Sequence, residues 1–250
     1  MVKSLNENTK IKTQLVDAVM INDAAFFEAP IIFMEPVSAS SLKAKSGPSS
    51  SLFQNPIWAI GRSRGTHEYT EQEVQRLREY VVNRGGFIYM PTHGNTEQAM
   101  QPALRVLRQI LPEHQLAVVP NDHEIYNSYY KLNGPLRYPV RKIYNLVLHH
   151  GRYDKLKGIF IDGRLAVLVD TEAMMHVMDG AVQKPFYGHY ADRNKIMVEF
   201  APHAAKQLIN LVVYATTHGG ISDYSNYVPE TALNTDKEAP KTAPKAIQKL

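Results

Sequence analysis

The 250-residue chain is long enough for one sizeable α/β domain with appendages, and with 44% apolar and 21% charged residues it has the composition of an ordinary globular protein. The absence of cysteine excludes disulfides, thiolate metal sites and a cysteine nucleophile within these residues. The net charge of +4 lies in residues 1–14 and 231–250, and the rest of the chain holds 21 basic and 21 acidic residues. A neutral body argues against an extended phosphate-binding groove, so nucleic acid is not a predicted partner.

Both ends and one internal segment are predicted to lie outside the folded body. Residues 1–14 are polar and indicate a flexible N-terminal arm, and residues 231–250 are rich in lysine, alanine and proline and indicate a flexible basic tail. Residues 37–54 are rich in serine without an apolar period, which indicates an insertion. We therefore expect a single α/β domain over residues 15–230 that carries this insertion.

The location of the protein depends on whether Met1 is its native start. The first 15 residues lack the apolar core of a signal peptide, so a native start at Met1 predicts a cytoplasmic protein. If a signal peptide has been removed, the protein is periplasmic or envelope-associated. No run approaches the roughly 20 apolar residues of a membrane-spanning helix, so no transmembrane segment is predicted.

The clearest local signal is a helix that begins after Thr70. The Thr70 side chain can cap the helix while Glu73 reaches back to the Thr70 N–H, which is the capping-box arrangement. Apolar residues then recur at helical spacing, at Val74, Leu77 and Val81. Glycine at positions 85 and 86 is predicted to end the helix, because glycine enters left-handed backbone geometry at little cost.

Short apolar runs predict the strands of a sheet that is covered on both faces. These runs are residues 31–34, 57–60, 87–90 and 116–119. Residues 158–161 and 165–169 flank the dipeptide Asp162-Gly163, which predicts an antiparallel hairpin near 158–170. Further helices are predicted with Pro102 in the first turn and over residues 204–215.

Seven segments in a fixed order carry a family resemblance. They are PIIFM at 30–34, EVQRLREY at 73–80, GGFI at 85–88, LPE at 111–113, DHEIY at 122–126, DGRLAV at 162–167 and NLVVYA at 210–215. This series resembles the bacterial DUF4159 family over roughly residues 16–217. The resemblance implies an α/β fold of the three-layer, flavodoxin-like type similar to class I glutamine amidotransferases, with a mainly parallel sheet. It implies no established activity, and many relatives look like bacterial envelope proteins.

The chain departs from the family pattern at two places. Relatives often have acidic residues after the GGF strand, where this chain has Pro91 and Thr92, and often have proline after the later histidine, where it has Glu124. Amidotransferases of this fold use a cysteine nucleophile, which this chain cannot supply. It also lacks a G-x-S-x-G elbow for a serine nucleophile, so no catalytic residue is predicted.

Polar residues that follow the predicted strands are the candidate ligand-binding residues, because ligands of open α/β sheets bind at the carboxyl ends of strands. They are Glu35, Thr92, His93, Asp122, His123 and Asp170. Histidine and carboxylate suit Zn²⁺, so a metal-dependent hydrolase that uses His93, Asp122 and His123 is one alternative. No local ligand spacing supports it, and the simpler interpretation is that these histidines bond to loop backbone. No metal and no cofactor is predicted.

The leading hypothesis is a non-catalytic, amidotransferase-like domain that serves as a binding or structural subunit of a larger bacterial assembly. Its predicted partners are other protein subunits, for example of a membrane-associated complex, contacted through the termini and the 37–54 insertion. A second alternative is a carbohydrate- or peptide-binding module, because the tyrosine-rich segment 126–144 offers aromatic rings with polar tips.

Overall fold

A computed structural model describes residues 5–7, 9, 11–14, 19–34, 69–92, 97–135, 141–143, 146–148, 156–171, 174 and 191–221. The strands are β1 (Ile31–Phe33), β2 (Phe87–Pro91), β3 (Ala117–Val118), β4 (Arg141–Ile143), β5 (Leu146–Leu148), β6 (Lys157–Ile161) and β7 (Arg164–Asp170). The α-helices are α1 (Glu71–Arg78), α2 (Glu97–Ile110) and α3 (Ala191–His218). Short 3₁₀ turns occur at Ala24–Phe27 and Glu124–Tyr126, and a π-helical turn at Glu79–Asn83 continues α1.

The fold is α/β, with a five-stranded mixed sheet in the order β1-β2-β7-β6-β3. The β1–β2 and β2–β7 pairs are parallel, whereas the β7–β6 and β6–β3 pairs are antiparallel. The α/β class is confirmed, but the sheet is partly rather than mainly parallel. The predicted hairpin accounts for the antiparallel β7–β6 pair, whereas the second antiparallel pair, in which the short strand β3 lies against β6, was not predicted. β4 and β5 form a separate antiparallel pair.

The predicted hairpin near 158–170 is confirmed. Asp162 and Gly163 have φ values of 51° and 79°, as a two-residue turn with positive φ at both positions requires. Ile159 pairs with Val167 and Phe160 pairs with Leu165, so β7 holds one extra residue between these two pairs. This bulge shifts which face of the sheet the side chains of β7 reach on either side of it.

The predicted capping box at the start of α1 is also confirmed. The Glu73 N–H donates to Thr70 Oγ1 at 3.3 Å, and the Thr70 N–H donates to Glu73 Oε2 at 2.8 Å. The helical segment ends before Gly85, which has a φ of 73°. A Cβ at Gly85 would lie 2.5 Å from the Gly220 backbone nitrogen, so glycine is required there for space as well as for conformation.

Replacing the capping residue should destabilise the domain measurably. We expect Thr70→Ala to lower the free energy of unfolding by about 1 kcal/mol, because the Glu73 N–H loses its acceptor. Chemical denaturation measures this change, with Gln72→Ala, an exposed position in the same helix, as the matched control. Equal effects of the two substitutions would contradict a capping role for Thr70.

Successive side chains of β2 enter two different hydrophobic clusters. Phe87 and Tyr89 pack in a cluster with residues of α3, whereas Ile88 and Met90 pack in a cluster with residues of α1 and α2. All four side chains are fully buried. The continuous apolar run of β2 therefore serves two faces, as the sequence predicts, and both faces carry helices.

Several elements differ in extent from the prediction. Helix α3 is much longer than residues 204–215, and β3 is only two residues long, with Val118 47% exposed. Pro102 lies inside α2 rather than in its first turn. The strand predicted at 57–60, the insertion at 37–54 and the tail at 231–250 fall outside the described residues.

The N-terminal segment contributes buried side chains to the domain. Leu5 and Ile11 are 1% and 0% exposed and pack in a third cluster with Tyr129 and with Ile209 of α3. This packing differs from the flexible arm predicted over residues 1–14, because an apolar face of α3 accepts both side chains. None of the described helices is long and apolar enough to cross a membrane.

Candidate functional site

The structure brings together two of the predicted site residues, Thr92 and Asp170. β2 and β7 are parallel neighbours, and Pro91 pairs with Asp170, so both strands end at one edge of the sheet. The Thr92 backbone N–H donates to the Asp170 carbonyl at 3.2 Å, and the Thr92 hydroxyl donates to the same oxygen at 2.9 Å. The backbone pairing of β2 with β7 therefore continues for one residue beyond β2, to Thr92.

The carboxylate of Asp170 is directed into the protein. Asp170 is fully buried, and its Oδ2 accepts hydrogen bonds from the Tyr89 hydroxyl and from the Met174 backbone N–H at 2.7 Å. Tyr89 is fully buried as well, and Thr92 is only 3% exposed. These hydrogen bonds give the Asp170 carboxyl group partners inside the domain, which a buried polar or charged group requires. Asp170 thus joins β2, β7 and the backbone of Met174.

His123 lies elsewhere, over the face of the sheet covered by α3. Its ring is 5.4 Å from the ring of Tyr214 and 5.6 Å from that of Phe160, measured between centroids. The Tyr214 hydroxyl accepts from the Leu165 N–H at 3.0 Å. Leu165 precedes Asp170 by five residues of β7, a separation of about 17 Å along a strand. His123 is therefore not part of the edge where Thr92 and Asp170 meet.

A turn after β3 explains this separation. Val118 of β3 pairs with Lys157, next to Val169, so β3 does end near Asp170. The chain then reverses, with the His123 N–H donating to the Pro120 carbonyl at 3.0 Å. The turn returns the chain over the sheet, and Asp122 within it is exposed.

Four side chains that the sequence does not group together form what we call the histidine cluster: His123, Glu124, Tyr214 and His218. His218 stacks on Tyr214 with centroids 4.4 Å apart and an interplanar angle of 13°. Its Nε2 lies 3.0 Å from Glu124 Oε2, which joins the 124–126 turn to the end of α3. His218 lies beyond the predicted end of this helix at residue 215, so no sequence signal pointed to it.

A comparison with known protein families gives a match that spans most of these elements. The family described as "Domain of unknown function (DUF4159)" matches residues 49–216, well over half of the chain. The chain belongs to the DUF4159 family. The matched span includes β2, β7, Thr92 and Asp170, while β1 precedes it. No curated protein matched the chain.

The partial burial of His123 is expected to make the stability of this DUF4159 domain depend on pH. Burial is the main cause that lowers the His123 pKa; His218 lowers it further, and Glu124 and Asp122 oppose the shift. His123 Nδ1 also accepts the Ile125 N–H at 3.1 Å, which holds that nitrogen unprotonated. The folded protein therefore binds this proton less readily than the unfolded chain. Its contribution is fully present above the unfolded pKa of about 6.5 and is lost as pH falls through the folded pKa.

We expect the free energy of unfolding to fall more steeply on acidification in the native protein than in His123→Asn. Asparagine keeps an acceptor for the Ile125 N–H but does not titrate. Denaturation series between about pH 7 and pH 5 measure the difference, since histidine titrates in this range. Parallel pH curves for the two proteins would contradict a linked proton at His123.

The remaining predicted site residues of the DUF4159 domain, Glu35 and His93, fall outside the residues that the structure describes. Among the residues that it does describe, no three histidine, aspartate or glutamate side chains are placed to hold a metal ion together. The absence of a metal site and of a cofactor stays a prediction.

The tyrosine-rich segment of the domain is largely internal where it is described. Tyr126 and Tyr129 are buried at 0% and 7% exposure, and Tyr130 is partly buried. Tyr138 and Tyr144 lie outside the described residues. Asn210 of α3 fixes the segment: its Oδ1 accepts the N–H groups of Tyr129 and Tyr130 at 3.1 and 2.7 Å, and its Nδ2 donates to the Tyr130 carbonyl at 2.8 Å.

Proposed function

We propose that this DUF4159 domain is a non-catalytic, amidotransferase-like domain that acts as a binding or structural subunit of a larger bacterial protein assembly. The observation that carries the proposal is the internal bonding of Asp170 and Thr92. Both polar groups follow adjacent parallel strands, where an enzyme of this fold class presents its ligand-binding groups. Here both are buried and hydrogen-bonded within the domain. They hold the edge of the sheet together instead of facing a substrate.

The same proposal includes a three-layer, flavodoxin-like arrangement. Two features support it: the parallel β1-β2-β7 series and the presence of helices on both faces of β2. The chain contains no cysteine, so it cannot supply the thiolate nucleophile of a glutamine amidotransferase. An amidotransferase-like domain without a cysteine nucleophile can still bind partners through its surface, but it cannot catalyse the amidotransferase reaction.

The partners in this proposal are other protein subunits, contacted through the two termini and the 37–54 insertion. The basic residues of the two ends, seven against three acidic ones, suit an acidic partner surface. A membrane-associated complex is one assembly that such ends can join.

Purification of the native protein under mild conditions tests the proposal. We expect it to elute in a complex well above its own 28.2 kDa, with a partner in fixed stoichiometry, as measured by light scattering and mass spectrometry. Deletion of residues 231–250 should weaken that complex, whereas Thr92→Val, which alters only the buried edge, should leave it intact if the variant folds.

Two results would overturn the proposal. One is a native protein that is monomeric at cellular concentration and has no associated chain. The other is a stoichiometric divalent metal with hydrolytic activity that is lost in Asp122→Asn, which would favour the metal-dependent hydrolase.

A further inference from the structure

A surface hollow lies at the amino end of β2, the end of the strand opposite to Thr92 and Asp170. Its volume is about 530 Å³, within the range of small-molecule sites. It is lined by Phe27, Glu28, Asn83, Arg84, Gly220 and Ile221. Neither the predicted site residues nor the histidine cluster contribute to it, so it requires its own explanation.

The Arg84 guanidinium is held in a fixed orientation in this hollow. Its Nε donates to Glu79 Oε1 at 3.1 Å, and its central carbon lies 4.3 Å from the centroid of the Phe27 ring. Its two terminal amino groups make no hydrogen bond within the described residues, and the side chain is 49% exposed. A guanidinium fixed on one edge and one face offers its remaining amino groups as a planar fork, which matches an oxyanion.

Glu79 organises the hollow without being part of its lining. Its Oε2 accepts from Asn83 Nδ2 at 2.6 Å while its Oε1 accepts from Arg84. The Asn83 bond, followed by the Arg84 bond, lowers the Glu79 pKa and keeps the carboxylate charged. Asn83 is the last residue of the π-helical turn Glu79–Asn83, and Arg84 follows it directly. Such π-helical turns recur at functional sites.

The wall of the hollow is closely packed. The Gly220 N–H donates to the Gly85 carbonyl at 3.3 Å, and a Cβ on either glycine would approach the backbone of the opposite segment to 2.5 Å or less. The end of α3 is therefore fixed against the turn that carries Arg84. The position of Ile221, which follows directly, depends on this contact.

Glu28 supplies an opposite charge on the same hollow. It is exposed, and its carboxylate has no hydrogen bond or ion pair among the described residues. Arg84 and Glu28 do not pair with each other. Ile221 adds apolar surface, whereas the Phe27 ring is covered by the guanidinium groups of Arg84 and Arg76, which lie 4.3 and 4.5 Å from its centroid. We propose that this hollow binds a small zwitterionic ligand, with a carboxylate on Arg84, an ammonium group at Glu28 and an apolar portion against Ile221. This site is independent of the proposed subunit role.

Calorimetric titration of the full chain with L-leucine as the probe tests the site. Acetate, methylammonium and inorganic phosphate serve as partial probes that carry only one charge type. We expect leucine to bind at one site and each partial probe to bind at least about tenfold more weakly. Arg84→Gln and Glu28→Gln should each weaken leucine binding about tenfold or more, since each removes a charge-assisted contact. Arg105→Gln, at an exposed arginine of α2, is the matched control and should bind as the native protein does.

Three outcomes would overturn the proposal. One is the absence of saturable heat with leucine up to its solubility limit. A second is an Arg105→Gln variant that weakens binding as much as Arg84→Gln does, which would indicate general charge effects. Phosphate binding that is tighter than leucine binding would indicate a simple anion site. Far-ultraviolet circular dichroism establishes that each surface variant is folded before it is titrated.

Discussion

Asp170→Ala is expected to lower the free energy of unfolding by about 3 kcal/mol, one of the two largest effects of a single substitution that we expect. The substitution removes the acceptor for the buried Tyr89 hydroxyl and for the Met174 N–H, which the surrounding core cannot replace. A buried donor that has no acceptor is removed from water without compensation. The resulting loss of stability is larger than the net contribution of an average hydrogen bond. Urea denaturation measures the change.

Two comparisons make this prediction specific. Asp122→Ala, at an exposed aspartate, should change stability by less than about 0.5 kcal/mol. Tyr89→Phe combined with Asp170→Ala should be less destabilising than the sum of the two, because both remove one shared bond. Full additivity, or a native-like stability of Asp170→Ala, would refute the structural role of this carboxylate and weaken the proposal of a non-catalytic edge.

Asn210→Ala should also be strongly destabilising, by about 2 kcal/mol or more. Asn210 is fully buried in α3 and makes three hydrogen bonds to the backbone of Tyr129 and Tyr130. Alanine leaves two N–H groups and one carbonyl without this partner and leaves a small cavity. Hydrogen exchange at Tyr129 and Tyr130 should accelerate beyond the change caused by global destabilisation, because the segment loses its attachment to the helix.

The exposed Asn121→Ala provides the control, with an expected change of less than about 0.5 kcal/mol. If Asn210→Ala left exchange at Tyr129 and Tyr130 unchanged relative to the rest of the domain, the attachment would lie elsewhere. A leading candidate would then be the third cluster, in which Tyr129 packs with Leu5 and Ile11.

Local features of the fold could be predicted from the sequence because the interactions that form them are local. The capping box needs only Thr70 and Glu73, three residues apart, and the hairpin needs only the Asp162-Gly163 turn between two apolar runs. The four apolar residues from Phe87 to Met90 likewise specify a strand buried on both faces.

The candidate site was only partly predictable, because it depends on the direction of the chain after each strand. Thr92 and Asp170 follow directly from adjacent parallel strands and therefore meet. The turn at Pro120 carries His123 away from that edge, and no residue pattern in the sequence fixes where such a turn leads. The Arg84 hollow depends on contacts between segments 55 or more positions apart, and the resemblance to a family says nothing about them.

By itself the sequence determined the α/β class, the capped helix α1, the hairpin and the family of this protein, because these follow from short-range spacing and from the order of segments. Only the tertiary structure decided that the sheet is mixed, that Asp170 is directed inward to Tyr89, and that His123 joins His218 instead of Thr92. The physical reason is that burial and hydrogen-bond satisfaction are properties of the packed chain. Whether a polar group faces a ligand or the core is set by residues distant in sequence that lie against it.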